Sequence, residues 1–366
     1  RLTNLGLSYL SLDRAGSTLS NGELQRVQIS RAVRSDTTGV LYVLDEPSIG
    51  LHPYNVDGLM KIVRELVDRK NSVVLVDHDP RILMDADQLI EIGPGPAKEG
   101  GRIVTQGTPL EAEKNPHSLI GPYLSGKESL KVRSRATEKD MFENGSIRIK
   151  TKPFYTVKAL DVSIPKGRMI AVTGVSGSGK TSLVIECLVP ALQAVIQGTK
   201  LPEHVDSIEA KGIQSVKVID SKPIGANVRS TVATYDGVFD DLRKLFARTA
   251  DAKAKGLTAG DFSYNTGKLR CPVCDGTGII TMDVQFLPDV DTICPSCGGS
   301  RYGKDAYDIL WKSKEKDSVS VSLPGLLKLT VEEAAGILHE ETKIAKQLKI
   351  LQDLGVCYLT LGEATP

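Results

Sequence analysis

The chain has 366 residues, of which 40% are hydrophobic and 25% charged, and this composition indicates a soluble globular protein of two or three domains. Lysine and arginine number 46 against 45 acidic residues, so the net charge of +1 excludes a general attraction to polyanions and leaves only local patches for nucleic-acid binding. Because no apolar run reaches the roughly 18 residues of a membrane span and no signal peptide is present, we expect a cytoplasmic protein without a membrane partner.

Strands and helices alternate in the first 110 residues. The apolar runs "VLYVLDEP" (40–47) and "SVVLVDHD" (72–79) predict two buried parallel strands, and residues 56–71 between them have helical spacing. Residues 87–109 predict two short strands around a loop of glycine and proline. The fold class predicted from this alternation is α/β with a parallel sheet.

A polar stretch at 126–145 predicts a linker, and a second α/β segment follows it. Two strands are predicted within "FYTVKALDVSIPKG" (154–167) and a third in "RMIAVTG" (168–174), before a helix that begins after Lys180.

The last third of the chain is less regular. Residues 236–256 have a helical pattern, and a module rich in cysteine and glycine occupies about 265–305. Residues 330–355 predict a strong helical stretch, which a capping box of Thr330 and Glu333 begins and Gly355 ends.

The segment "GVSGSGKT" (174–181) fits the phosphate-binding pattern G-x-x-x-x-G-K-[ST] without a mismatch, between a predicted strand and a helix. Backbone N–H groups of such a loop surround phosphates, Lys180 reaches the β- and γ-phosphates, and the Thr181 hydroxyl binds Mg²⁺. The alternative is a glycine-rich turn without a ligand. The candidate ATP-binding residues are Gly174, Ser176, Gly177, Ser178, Gly179, Lys180, Thr181 and Ser182.

Two carboxylates end the first predicted strand. In a nucleotide site, Asp45 would hold Mg²⁺ and Glu46 would act as the general base that polarises the attacking water. His78, at the end of the next strand, would contact the γ-phosphate or that water. The alternatives are an acidic pair neutralised by arginines and a structural histidine.

Four of the six cysteines form two close pairs, Cys271 with Cys274 and Cys294 with Cys297. Two such pairs can supply four thiolates in a tetrahedron around Zn²⁺, and four protein ligands make a structural site. We expect one zinc ion per chain, with a β-hairpin between the pairs. The alternative is a set of independent reduced cysteines.

The order of these motifs resembles that of ATP-binding-cassette (ABC) ATPases. "LSNGELQR" (19–26) is similar to the signature segment of that family, "LDEP" to its Walker B segment and "SIGLHP" (48–53) to its D-loop. The resemblance implies that Ser20, Gly22 and Glu23, at the start of a helix, contact the γ-phosphate of a nucleotide held by the opposite half. The family usually has glycine where this chain has Asn21.

Longer phrases resemble the UvrA family of excinuclease ABC proteins, among them "LDEPSIGLHP", "AVTGVSGSGK", "FSYNTGKLRCPVCDGTGII" and "CPSCGGSRY". The resemblance covers nearly the whole chain. It implies the second half of one ABC cassette at 1–125, the linker at 126–145, the first half of a second cassette at 146–205, and a signature-domain region with the zinc module at 206–366. This division explains why the signature segment precedes the phosphate loop in the sequence. A start at Arg1 rather than Met also indicates that the chain is a central fragment of a longer protein. Ser221 replaces the glutamine that this family uses to sense Mg²⁺.

The resemblance implies an ATPase that recognises damaged duplex DNA in bacterial nucleotide excision repair, within an excision nuclease of the SOS response. Its expected partners are DNA and the excinuclease B protein, the latter through regions outside this chain, and the full-length protein is expected to be a homodimer. Candidate DNA contacts are Arg270, Arg301 and Lys304, which flank the zinc module. The alternatives are a related protein of drug self-resistance, the ATPase component of an ABC transporter, and a zinc chaperone module. The chain itself is expected to bind ATP but hydrolyse it slowly.

Overall fold

The computed structural model describes residues 6–16, 19, 21–32, 37–96, 99–128, 134–175, 177–219, 229–282, 290–313 and 319–365. The chain divides into two compact units, residues 1–218 and residues 219–366. None of the helices in the described ranges combines the length and the apolar character needed to cross a membrane.

The helices of the first unit are α1 (Asn21–Ala32), α2 (Pro53–Asp68), α3 (Pro80–Asp85), α4 (Pro109–Lys114), α5 (Gly121–Leu124), a π-helix (Ser182–Leu188) and α6 (Val189–Gln197). Its strands are β1 (Leu41–Asp45), β2 (Ser72–Val76), β3 (Leu89–Gly93), β4 (Arg102–Gly107), β5 (Ser146–Thr151), β6 (Asp161–Pro165) and β7 (Val205–Glu209).

Strands β1 and β2 pair in parallel, as predicted, with Leu41 opposite Ser72. The prediction that both strands are buried was wrong for one face of the sheet, since Leu41 is 59% and Val43 is 64% exposed. The other face, which includes Tyr42 and Leu44, packs on a core beneath α2. Parallel strands are buried on both faces only where other elements pack on both faces of the sheet. The described residues pack on one face of this sheet.

Helix α2 begins at Pro53, three residues before the predicted start, because His52 caps it by accepting a hydrogen bond from the Tyr54 N–H (3.2 Å). The helix is amphipathic, and the apolar side chains it buries are Val56, Leu59, Ile62, Val63 and Leu66. Beyond it, the Asn71 side chain accepts from the Val40 N–H (3.0 Å) and donates to the Leu66 carbonyl (3.1 Å), which joins the helix end to the start of β1.

The two short strands predicted at 87–109 are confirmed as the antiparallel pair β3 and β4. A three-stranded antiparallel sheet of order β6-β5-β7 follows the predicted linker. Its core consists of Ile149, Cys187, Ala191 and Val205, so the helices after the phosphate loop pack on this sheet.

Two strand predictions in this region were wrong. Residues 154–167 contain one strand, β6, and a tight turn at Phe154–Val157 in place of the other. Residues 168–174 pair with no described strand, and Met169 is 84% exposed. A strand requires a hydrogen-bonded neighbour, and an apolar run alone does not supply it.

The helices of the second unit are α7 (Val232–Asp236), α8 (Val238–Ala247), α9 (Ala250–Ala254), α10 (Leu323–Leu327), α11 (Val331–Ile337) and α12 (Thr342–Asp353), with a 3₁₀ turn at Lys304–Asp308. Its strands form two antiparallel hairpins, β8 (Ile279–Met282) with β9 (Val290–Ile293) and β10 (Leu310–Lys312) with β11 (Ser320–Ser322).

Both segments that were predicted to be helical in this unit are helical, but each contains two helices instead of one. Thr249 interrupts the first and caps α9 by accepting from the Ala252 N–H (3.3 Å). The capping box of Thr330 and Glu333 is confirmed at the start of α11, and Gly355, at φ +76°, follows the end of α12. The core of this unit gathers large side chains from all its parts, among them Phe246, Phe262, Tyr264, Trp311 and Leu326.

Candidate functional site

The candidate phosphate loop, residues 174–181, bends through three glycines with positive φ: Gly174 (+148°), Gly177 (+78°) and Gly179 (+92°). Residues with a Cβ rarely adopt such angles. The Lys180 ammonium donates to the carbonyl oxygens of Gly174 (2.7 Å) and Val175 (2.8 Å), so it lies across the mouth of the loop. The described residues of the loop thus have three glycines with positive φ and the Lys180 ammonium close to the loop carbonyls, and its binding of phosphate stays a prediction.

The loop is supported from two sides. A Cβ on Gly179 would lie 2.9 Å from Thr156 Oγ1, so the loop packs closely against the turn at Phe154–Val157. A Cβ on Gly174 would lie 2.8 Å from the Ser178 hydroxyl, so the Ser178 side chain lies close to Gly174. Thr181 and Ser182 stand at the start of the following helix, and the described Thr181 side chain makes no capping hydrogen bond. Ser176 lies outside the described residues, as do Ser20 and Ser221.

The ends of β1 and β2 bring the predicted general base and the predicted histidine together. Glu46 has a left-handed φ of +45°, and its N–H donates to the Val76 carbonyl (2.7 Å). The His78 ring nitrogen Nε2 lies 3.7 Å from a Glu46 carboxylate oxygen. Asp45 is adjacent, and its carbonyl accepts from the Gln25 side chain of α1 (2.6 Å). The described geometry thus places the carboxylates, the histidine and α1 at one edge of the parallel pair.

Sequence analysis did not single out Asp77, which organises this edge. Its carboxylate accepts from the Ser48 hydroxyl (2.7 Å) and the Ser48 N–H (3.2 Å), and also from the N–H groups of His78 (2.7 Å) and Asp79 (3.0 Å). An aspartate directly after the apolar run 73–76 is the signal that could have found it, since such residues cap turns by accepting backbone N–H bonds.

The predicted signature residues lie on and before α1. The Gly22 backbone is in its first turn, and Glu23 is buried and accepts a hydrogen bond from the Tyr9 hydroxyl. Burial first, and then the hydrogen bond and the charge of Glu23, raise the pKa of Tyr9 to about 12. A Cβ on Gly177 would lie 2.4 Å from the Tyr9 ring, so Tyr9 connects α1 to the phosphate loop. This tyrosine was also missed from the sequence.

The four predicted zinc ligands form one cluster. Their sulfur atoms all lie within 4.8 Å of one another, and the Cys274 and Cys297 sulfurs are 3.7 Å apart. A tetrahedron with Zn–S bonds of about 2.3 Å has S–S edges of about 3.8 Å, so the cluster has the size that one metal ion requires. The cluster is completed by Cys271 and Cys294, and the described residues contain no other grouping of this kind.

The surroundings of the cysteines favour one low thiol pKa and one high one. Burial would raise the pKa of Cys271, but N–H bonds from Cys274 and Val273 outweigh it and lower the pKa to about 7. Burial raises the pKa of Cys297 to about 12, and the neighbouring Cys274 and Cys294 add to this shift. Uncompensated thiolates repel one another, and a bound cation removes that repulsion.

The predicted hairpin between the cysteine pairs is confirmed, with Ile279 of β8 opposite Ile293 of β9. Residues 283–289, which lie between these two strands in the sequence, are outside the described residues. Of the three candidate DNA contacts, Lys304 is exposed, whereas Arg270 binds the Asp275 carboxylate (3.0 Å). The expectation for Arg301 was wrong: it is 7% exposed, and its guanidinium lies 5.2 Å from the centre of the Tyr264 ring.

The described residues form a protein of mixed helices and strands, in which β1 and β2 are the one parallel pair, with a glycine-rich loop at 174–181 and a cluster of four cysteines that could hold a metal ion. No family model matches the chain. It is 42% identical to the UvrABC system protein A of Aquifex aeolicus over 368 residues, which are 100% of this chain and 39% of that relative. It is also 42% identical to the UvrABC system protein A of Staphylococcus aureus strain COL over 99% of this chain and 37% of that relative.

Among solved structures, UvrA2 from Deinococcus radiodurans superposes with a TM-score of 0.86 at 37% identity, over 100% of this chain and 43% of that one. These similarities confirm the resemblance: along its whole length, this chain is similar in sequence to proteins named UvrABC system protein A. It spans about two fifths of the length of the curated relatives named above.

Proposed function

We propose that this chain is part of an ATP-binding protein that recognises damaged DNA in nucleotide excision repair, and that it is built from parts of two ABC cassettes. The observation that supports this most directly is the contact between the phosphate loop and the start of α1 through Tyr9, in a chain that resembles UvrABC system protein A throughout. In an ABC arrangement, a phosphate loop and a signature helix belong on either side of one nucleotide.

In this proposal, backbone N–H groups of the loop and the Lys180 ammonium hold the phosphates of ATP. Lys180 would exchange the loop carbonyls that it now binds for phosphate oxygens. Thr181 would help to hold Mg²⁺, which neutralises phosphate charge during transfer.

The second candidate site lies at the ends of β1 and β2. Asp45 would hold Mg²⁺, Glu46 would orient and polarise water, and His78 would assist Glu46 from 3.7 Å. The phosphate loop of this chain and Glu46 would serve two different nucleotides. We therefore propose that the chain binds ATP and turns it over slowly, because a positioned base contributes about 10²–10⁴-fold to such reactions.

The cysteine cluster fits a structural Zn²⁺, since four thiolates leave no open coordination position. The ion would hold the two Cys-x-x-Cys turns together and so fix the base of the β8–β9 hairpin. We propose that this hairpin and the exposed Lys304 face damaged duplex DNA. The excinuclease B protein, reached through other regions, and a second copy in the full-length protein are the further proposed partners.

Nucleotide binding by the purified chain tests the proposal. Titration with a fluorescent ATP analogue in the presence of Mg²⁺ should show saturable binding that Lys180→Ala reduces at least tenfold, since the loop then lacks its cation. Lys166 is the matched control, because it also donates to a backbone carbonyl of the same unit, that of Lys211 (2.9 Å), away from the loop. Equal loss in Lys166→Ala, or binding that is insensitive to Lys180→Ala, would contradict the assignment.

A further inference from the structure

Tyr9 packs directly on the phosphate loop. A Cβ on Gly177 would lie 2.4 Å from Tyr9 Cγ and 2.5 Å from Cδ1, so the ring occupies the place that any side chain at position 177 would need. Gly177 also has a positive φ of +78°, which residues with a Cβ rarely adopt. Gly177 is therefore required both by the loop conformation and by the tyrosine.

The other end of Tyr9 is attached to α1. Its hydroxyl donates to the carboxylate of Glu23, in the first turn of that helix. Arg26, one turn further along, is 4% exposed and interacts electrostatically with both Tyr9 and Glu23. The hydroxyl is thus held in a largely buried charged cluster on the face of α1.

The segment that carries Tyr9 is itself anchored. Leu7 is 2% exposed and belongs to the same core as Ile29 of α1 and Leu59 of α2. Since neither Tyr9 nor α1 can move freely against that core, a contact between Tyr9 and Gly177 fixes the distance from α1 to the loop.

We propose that Tyr9 is a positioning residue that holds the first turn of α1 beside the phosphate loop, so that this turn meets the terminal phosphate of ATP. The proposal rests on the proposed function, in which the loop binds ATP. Because ADP lacks the terminal phosphate, an α1 held in place by Tyr9 stabilises bound ATP more than bound ADP. Tyr9 thereby contributes to the preference of the loop for the triphosphate.

This role requires both the ring and the hydroxyl of Tyr9. Phenylalanine at position 9 would keep the ring on Gly177 but lose the hydrogen bond to Glu23, and alanine would lose both. The chain offers a matched control, since "GLSYLSL" (6–12) is similar to "GVCYLTL" (355–361). Tyr358 occupies the corresponding position in the second segment and is 44% exposed.

The test measures the dissociation constants of ATP and ADP for the whole chain by competition against the fluorescent analogue. Tyr9→Ala should reduce ATP affinity about tenfold, the equivalent of one charge-assisted hydrogen bond with its packing contact, and should change ADP affinity less than twofold. Tyr9→Phe should produce an intermediate loss of the ATP-to-ADP ratio. Tyr358→Ala should leave the ratio at its wild-type value.

Each outcome separates this inference from the proposed function. Equal loss of ATP and ADP affinity in both Tyr9 variants, or no ATP preference in the wild-type chain, would overturn the role of Tyr9 while Lys180→Ala still weakens binding at least tenfold. Binding that is insensitive to Lys180→Ala would instead refute the proposed function. If Tyr9→Ala fails to fold by circular dichroism, the ratio for Tyr9→Phe decides, because that variant keeps the ring.

Discussion

At the scale of single residues, the carboxylate of Asp77 shows how one side chain can hold two loops. It accepts hydrogen bonds from Ser48 on one loop and from the backbone of His78 and Asp79 on the other. Glu46 and His78 extend from these same two loops. The 3.7 Å between their side chains is therefore set by a residue that touches no reacting group in the proposed mechanism.

Two glycines beside the cysteine cluster have similar backbone angles but different neighbouring atoms, and we predict different effects of substituting them. Gly276 and Gly299 each lie two residues after a cysteine of the cluster, with similar φ of +79° and +83°. A Cβ on Gly276 would lie 1.7 Å from the Tyr264 carbonyl oxygen, whereas a Cβ on Gly299 would meet nothing closer than 3.7 Å. Gly299→Ala should cost about 1–2 kcal/mol for the left-handed backbone, and Gly276→Ala about 1–3 kcal/mol more for the steric overlap.

Chemical denaturation of the zinc-loaded chain measures both free energies of unfolding, with Gly299→Ala as the control for the backbone angle. Equal losses in the two variants would show that the Tyr264 carbonyl moves aside, which would contradict the close packing of this turn.

At the scale of elements, the sheet of β1 and β2 shows that the burial of a strand depends on which other elements pack on each of its faces. Leu41 and Val43 point away from the core that includes Tyr42 and Leu44, because successive side chains of a strand alternate between its faces. A continuous apolar run is typical of a strand covered on both sides, and the described residues cover this sheet on one side.

The β8–β9 hairpin is an element whose stability should depend on the metal. Cys294→Ser removes one of four ligands, and binding energy at a structural site is local folding energy. We expect less than half an equivalent of zinc after dialysis and rapid hydrogen exchange in Ile279–Met282 and Val290–Ile293. ATP binding at the phosphate loop should persist, since the loop belongs to the other compact unit.

Cys357→Ser is the matched control for this variant, because Cys357 is a partly buried free cysteine outside the cluster. It should retain one equivalent of zinc and a protected hairpin. A hairpin that stays protected in metal-free Cys294→Ser would contradict the structural role of the ion.

At the scale of the whole molecule, each compact unit has a core of its own. Leu59 lies in a buried cluster of residues 1–218 and Leu326 in a buried cluster of residues 219–366. Both side chains are fully buried, so replacement of either by alanine should cost about 2–5 kcal/mol through the cavity that it leaves. We expect each substitution to destabilise only the unit that contains it.

The chain has a single tryptophan, Trp311, which is buried in the core of residues 219–366. Its fluorescence during urea unfolding therefore reports on that unit, while circular dichroism reports on both. Leu326→Ala should lower the midpoint of the tryptophan transition, and Leu59→Ala should leave it in place and shift only the circular dichroism. A tryptophan midpoint lowered equally by both variants would mean that the chain unfolds as one cooperative body.

Features that depend on short spacings were predictable from the sequence. The two Cys-x-x-Cys pairs, the hairpin between them, the capping box at Thr330 and the helix end at Gly355 are all confirmed. In residues 174–181, three glycines have positive φ and Lys180 donates to the Gly174 carbonyl. In each case a few residues close in the chain supply both the geometry and the chemical groups, and the nucleotide and zinc assignments built on them remain predictions.

Features that depend on distant segments were decided by the tertiary structure alone. Whether residues 168–174 form a strand depends on a neighbouring strand, and whether Arg301 reaches solvent depends on where the Tyr264 ring lies. The contact of Tyr9 with Gly177 joins residues that are 168 positions apart in the sequence. Spacing along a chain determines which groups can act together locally, but only packing determines which distant groups meet, because that choice depends on the burial of the whole core.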